Sequence, residues 1–186
     1  MSNAILFSEG SRPTLEEVLE TREMRAGFEK KLSERYPGDA IISFKLNIPG
    51  PVKNNDLIKR IFDIGTADIK AVLFRKEFLI RYEKELNLKT GPEFFLVIKA
   101  QPPAVKTEMA DLEEETPLGR LYDIDVVFGD EGKLKSIDRT TIGFPKRTCF
   151  VCEKDAKVCG RSRAHSISDM HDKIEELLKK ERRLTL

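Results

Sequence analysis

The chain has 186 residues, 40% hydrophobic and 35% charged, with a formal net charge of +1. This is the composition of a globular domain with enough apolar material for one core, and no apolar run approaches the roughly 20 residues of a membrane-spanning helix. The opening "MSNAILFSEG" has neither a basic start nor a long apolar centre, so no secretory signal is expected and a cytoplasmic location follows as the default.

In chain order the pattern alternates between helix and strand. Pro13-Thr14 opens a helix with the capping box "TLEE", in which Thr14 caps and Glu17 reaches back. Leu15, Val18, Leu19, Phe28 and Leu32 supply its apolar face until "YPG" stops it. "AIISFKLNI" places Ile42, Phe44, Leu46 and Ile48 on one side, the period of a half-buried strand, and runs into the loop "PGPVKNN". From Asp56 to Leu88 helical spacing returns through Leu57, Ile58, Ile61, Phe62, Ile69, Val72, Leu73, Leu79, Ile80 and Leu86. A length of that order predicts two helices, with Gly65 as a bend or break.

"TGP" releases "EFFLVIKA", which reads as a central strand, and the proline-bounded stretch after it predicts a short helix from Ala104 to about Glu114. "GRLYDIDVVF" resumes as a strand, and the turn "GDEG" folds "KLKSIDRT" back as an antiparallel partner. Ser166 or Ser168 caps a terminal helix with Met170, Ile174, Leu177 and Leu178 inward and "KKERR" near its C-terminal end. The expectation is an α+β (mixed α/β) fold forming a single domain over 1–186. Residues 1–12 are expected to be flexible, and 145–186 to hold a Cys/His hook and the C-terminal helix.

Two constellations carry chemistry. In "LYDIDVVF" the side chains alternate, so Tyr122, Ile124 and Val126 share one face and Asp123, Asp125 and Val127 the other. Aspartate is depleted in strands and like charges on one face repel, so a cation is expected beside the pair. Mg²⁺ is commonly held by one or two carboxylates plus substrate phosphates, which makes Asp123 and Asp125 candidate catalytic metal ligands. Surface decoration is the commoner meaning of D-x-D alone; the apolar residues on either side favour a buried strand. The charge distribution points the same way. Nine acidic residues against one basic lie between Glu108 and Glu131, whereas fourteen basic against eight acidic lie from Lys133 onward, a balance suited to a polyanionic ligand.

All three cysteines, Cys149, Cys152 and Cys159, fall in "RTCFVCEKDAKVCGRSRAHS", followed by His165. Such a hook can surround a structural Zn²⁺, while buried free cysteines and a phosphate-holding role for His165 with Arg161 and Arg163 are the alternatives. Gly50 and Lys53 lie beyond a strand end, and Arg139 and Arg147 near the end of the hairpin; all four are candidate phosphate contacts, against a background of ordinary turns and solvated cations.

"LNIPGPVK", "LGRLYDIDVVF" and "RTCFVCEKDAKVCGRSRAHS", in that order, resemble the holo-citrate lyase synthase family, also called apo-citrate lyase phosphoribosyl-dephospho-CoA transferase. "EEVLETREMRAGFEKKL" is similar to the family's N-terminal region. The resemblance implies a nucleotidyltransferase and a nucleotidyltransferase-like sheet flanked by helices. The implied reaction moves phosphoribosyl-dephospho-CoA from 2'-(5''-triphosphoribosyl)-3'-dephospho-CoA to a serine of the apo acyl carrier subunit of citrate lyase and releases pyrophosphate. Mg²⁺ on Asp123 and Asp125 is implied, and Gly119 and Arg120 of the second motif join Gly50, Lys53, Arg139, Arg147, Arg161, Arg163 and His165 as substrate-binding candidates. The pair falls where polymerase-β-type enzymes place their metal motif, although the usual Gly-Ser motif shortly before it is missing; Asp138, on the facing hairpin strand, is the candidate third carboxylate. The synthase of malonate decarboxylase and a zinc-stabilised binding module are the alternatives. With no tryptophan and core-like aromatics, neither nucleic acid nor membrane is an expected partner.

Overall fold

A computed structural model describes Phe7 and residues 9–184. The expected flexibility of the first dozen residues falls largely outside them. A five-stranded sheet, antiparallel at every pairing, runs in the order β2-β3-β1-β4-β5, from β1 (Ala40–Leu46), β2 (Leu79–Leu88), β3 (Gly91–Lys99), β4 (Tyr122–Asp130) and β5 (Lys133–Ser136). The helices are α1 (Leu15–Arg35), α2 (Asp56–Arg75), α3 (Pro102–Glu115), α4 (Ala156–Ser162) and α5 (Ile167–Leu178).

The sheet has a core on each face. The larger joins Ile42, Phe44, Phe94, Leu96, Tyr122, Ile124 and Val126 to Ile58, Phe62 and Ile69 of α2, Val105 and Met109 of α3, and Ile174 and Leu178 of α5. The smaller packs Ile41, Phe95, Val97 and Val127 under Leu32 of α1. Burying these side chains contributes on the order of 1.5–3 kcal/mol each before chain entropy is offset. β1, expected to be half-buried, is therefore covered on both sides, since α1 closes the face that carries Ile41 and Ser43.

Local chemistry sets the helix ends. Thr14 and Glu17 form the expected capping box, with Thr14 Oγ1 accepting from the Glu17 amide at 3.2 Å and Glu17 accepting from the Thr14 amide at 2.7 Å. Asn55 caps α2, and Ser166, with Asp169, caps α5. Leu15 and Leu19 of α1, assigned to its apolar face, are exposed instead; only the C-terminal half of that helix reaches the sheet.

The expectation of two helices between 56 and 88 is corrected. Asp56–Arg75 is one helix, unbroken at Gly65, and Leu79–Leu88 is strand β2. Gly65 permits contact: a Cβ there would lie 2.5 Å from Phe44 Cζ and 3.0 Å from Tyr122 Cε1. Glu77, at φ 54°, ends the helix, and "LIRYEKELNL" then alternates as an edge strand paired with β3. A second correction concerns β5, which stops at Ser136. Asp138 is past the strand and caps the 3-10 turn Arg139–Ile142, accepting from the Thr140 amide at 2.9 Å.

Candidate active site

β5 pairs only with Val127–Asp130, so the first half of β4 presents an unpaired edge. α3 covers it with side chains. Lys106 Nζ donates to the Ile124 carbonyl at 2.6 Å, and Glu113 Oε1 accepts from the Ile124 amide at 3.1 Å. Buried backbone groups need such partners. Burial pushes Glu113 above the usual carboxylate range despite the opposing charges of Arg147 and Lys106.

This edge and the face under α1 hold Asp123 and Asp125. The register sets Lys45 opposite Asp123 and Ser43 opposite Asp125. Lys45 Nζ lies 2.8 Å from Asp123 Oδ2 and 3.0 Å from Asp125 Oδ2, so the cation expected beside the pair is supplied by the protein itself. Burial drives the Lys45 ammonium toward neutrality, but the two carboxylates outweigh it and raise its pKa. Asp125 is held low: burial opposes ionisation, and Lys45, then Lys106 and Arg25, overcome it. The same strip continues across the sheet. Glu29 of α1 is raised by burial and by Asp125, with Ser43 opposing the shift, and Arg25 grips Glu93 at 2.5 and 3.2 Å.

The acid pair opens into a cleft of about 320 Å³ that gathers Lys106, Arg139, Lys146, Arg147 and Lys157 with Glu113, Asp123, Asp125 and Asp138. Arg139 bonds Glu114 and has Nη1 3.9 Å from Glu113 Oε2, yet its buried Nε and Nη1 have no hydrogen-bond partner, donors fit for an anion. Arg147 Nη2 is 2.6 Å from Glu113 and also lines a second, more apolar cleft of about 570 Å³ with Asn47, Pro49, Arg120, Phe150, Arg163 and His165. Arg120 donates to the Thr148 carbonyl at 2.5 Å and sits over the Phe150 ring; burial, then Arg147, lowers its pKa.

The structure thus gathers Asp123, Asp125, Asp138, Arg139 and Arg147 in one cleft and Arg120, Arg147, Arg163 and His165 in the next. Lys53 stands apart, donating to the Ile48 carbonyl at 2.6 Å in a small cavity beside Lys45 and Arg25; burial lowers its pKa. Gly50 lies against His171 and Ile167 of α5, and Arg161 is exposed on α4 outside both clefts. Gly119 abuts the end of α3, where a Cβ would meet the Glu113 carbonyl oxygen at 2.3 Å, so its place is one of packing. Cys149, Cys152, Cys159 and His165 do converge: one donor atom from each lies within 4.8 Å of the others, a group able to hold a metal ion.

Lys45, Ser43, Glu29 and Lys106 went unread in the sequence. The signal for the first two was present, since "S-F-K" puts Ser43 and Lys45 on the face opposite Phe44, matching the period of "D-I-D". Glu29 and Lys106 have no comparable pattern, because helical charges are usually solvated.

Hard carboxylate oxygens beside guanidinium and ammonium groups suit a substrate bearing phosphates. A profile described as apo-citrate lyase phosphoribosyl-dephospho-CoA transferase matches residues 13–181. A Streptococcus pyogenes serotype M18 protein named "Probable apo-citrate lyase phosphoribosyl-dephospho-CoA transferase" is 38% identical over 172 residues, 92% of this chain and 88% of the relative. The Escherichia coli O139:H28 protein of that name, without "Probable", is 33% identical over 165 residues, 89% of this chain and 88% of its own. "Protein CitXG" of Leuconostoc mesenteroides is 35% identical over 172 residues, 92% of this chain but 36% of that longer protein. These relationships define the chain as an enzyme, a transferase. It belongs to the apo-citrate lyase phosphoribosyl-dephospho-CoA transferase family.

Proposed function

We propose that this transferase moves phosphoribosyl-dephospho-CoA from 2'-(5''-triphosphoribosyl)-3'-dephospho-CoA to a serine of the apo acyl carrier subunit of citrate lyase, with pyrophosphate as the leaving group. The observation that carries this reading is the meeting of Asp123 and Asp125 with five basic side chains in one cleft, next to a second cleft of more apolar character. The first suits a triphosphate and the second the nucleoside and pantetheine portion. Among the described residues no helix is long and apolar enough to cross a membrane.

The donor set of the acid pair suits Mg²⁺, because Asp123 and Asp125 set two carboxylates with hard oxygen donors side by side, with Lys45 bonded to Oδ2 of each. Bound there, Mg²⁺ would neutralise charge on the triphosphate and on the departing pyrophosphate. The protein's own groups do the rest. Lys45 bridges the two carboxylates and helps keep Asp125 ionised. Arg139 offers Nε and Nη1, neither of which has a hydrogen-bond partner, to phosphate oxygens, and Arg147 spans the two clefts. The incoming serine oxygen forms a bond to the phosphorus next to the ribose as the bond to the pyrophosphate oxygen breaks, and the serine proton is released. Since the nucleophile is on the carrier, the enzyme needs no serine of its own.

Intact-mass spectrometry of the apo carrier after incubation with enzyme, donor and Mg²⁺ tests this directly. The carrier gains one phosphoribosyl-dephospho-CoA group, the gain requires its serine, and Asp123→Asn and Asp125→Asn abolish it while the variants stay folded. Near wild-type transfer by both variants removes the acid pair from the reaction.

A further inference from the structure

We infer that Cys149, Cys152, Cys159 and His165 form a closed, structural zinc site that braces the wall shared by the two clefts. Zn²⁺ bound tetrahedrally has Zn–S distances near 2.3 Å and Zn–N near 2.05 Å, so two sulfurs stand about 3.8 Å apart and a sulfur and nitrogen about 3.6 Å apart. Cys152 Sγ is 3.6 Å from Cys159 Sγ and 3.3 Å from His165 Nε2, and the whole set lies within 4.8 Å. Three thiolates and an imidazole select a soft, tetrahedral ion over Mg²⁺ or Ca²⁺, and four protein ligands leave no open position for catalysis.

The surroundings of the cluster point to the same conclusion. From Ile137 to Ser166 a single residue is buried, and it is Cys159. A segment of that length has too little apolar burial to order itself, which is the circumstance in which small modules use a metal as a staple. The hook is already shaped for one. Thr148 bridges Asp155, the Cys149 amide donates to the Lys154 carbonyl at 2.7 Å, and the Val151 amide donates to Cys149 Sγ at 3.5 Å, the kind of backbone bond that a metal-bound thiolate accepts.

The brace acts on the clefts through short links. Arg147 is two residues before Cys149, and its carbonyl accepts from the Ala156 amide, 2.9 Å away, where the helix bearing Cys159 begins. Arg120 is tied to the carbonyl of Thr148. An ion in the cluster therefore holds Arg147 and Arg120 where both clefts need them. This effect on the donor rests on the transfer reading, whereas the site itself does not.

Three substrate-free measurements test the site and its role. Elemental analysis of the protein purified under reducing conditions should give about one zinc per chain, falling below about a tenth in a Cys149→Ser/Cys152→Ser variant. Replacing zinc by Co²⁺ in the wild-type chain should give tetrahedral ligand-field bands with thiolate charge transfer. Stripping the metal should speed amide exchange across 147–166 by about tenfold or more while β1, β3 and β4 keep their protection. Folded, reduced protein without zinc, or zinc retained in the double variant, overturns the site. Unchanged exchange after stripping overturns the brace. Because none of the three uses substrate, a failed transfer assay and a missing zinc identify different errors.

Discussion

Lys45 faces two carboxylates that would otherwise repel each other, and its removal leaves that repulsion uncompensated. Asp123 and Asp125 are 42% and 53% exposed, so solvent damps the cost, and Lys45→Met should lower unfolding stability by about 1 kcal/mol at pH 7. The pH dependence has a definite sign. The folded pKa of Asp125 is depressed, so its share of stability is present above the ordinary carboxylate value of 3.8 and is lost as pH falls through the lower folded value. That of Lys45 is raised, so its share holds below 10.5 and is lost only above that. Urea titrations should therefore show the difference between wild type and Lys45→Met at pH 7 shrinking as pH drops below 3.8. The existence of the acid pair could be read from "DIDV", since the period of two is a local property. Its partner could not be assigned, because only the pairing of β1 with β4 selects Lys45 among 33 Lys and Arg residues.

At the scale of the element, α2 shows a local rule yielding to packing. Alanine is the better helix former by about 1 kcal/mol, which favours Gly65→Ala in isolation. Here the added methyl would enter a stack of Phe44 on Phe62, whose ring centroids are 4.9 Å apart, and strike Phe44 at 2.5 Å. Overpacking of that kind costs about 1–3 kcal/mol, so the variant should be less stable than wild type by denaturant titration, at unchanged helix content by circular dichroism. The stretch after α2 was misread as helix for a related reason. Leu79, Ile80 and Leu86 also fit a helical spacing when counted with the residues before them, and only the antiparallel bonds to β3 make them a strand. Those bonds come from residues 91–99, beyond any local window.

For the whole molecule, Arg147 is the residue both clefts share together with Ala156, and it pairs with the buried carboxylate of Glu113 at 2.6 Å. Charge-assisted contacts are worth about 1.5–3 kcal/mol, so Arg147→Lys, which keeps the charge but loses the planar fork, should raise the donor KM about 10- to 100-fold with kcat less affected. Steady-state kinetics against donor concentration would check this, and an unchanged KM would remove Arg147 from donor binding. The α+β class, the capping box of α1, a serine cap for α5, the face carrying Asp123 and Asp125 and the gathering of cysteines were legible in the chain, because each depends on spacings of two to ten residues. Tertiary structure alone decided the order β2-β3-β1-β4-β5, the use of α3 to cap an open strand edge, the pairing of Lys45 with the acids and the sharing of Arg147 between two clefts. Those depend on contacts between residues as far apart as Lys45 and Asp125. Which distant segment meets which is settled by burial of both sheet faces at once, a collective quantity that no stretch of sequence carries by itself.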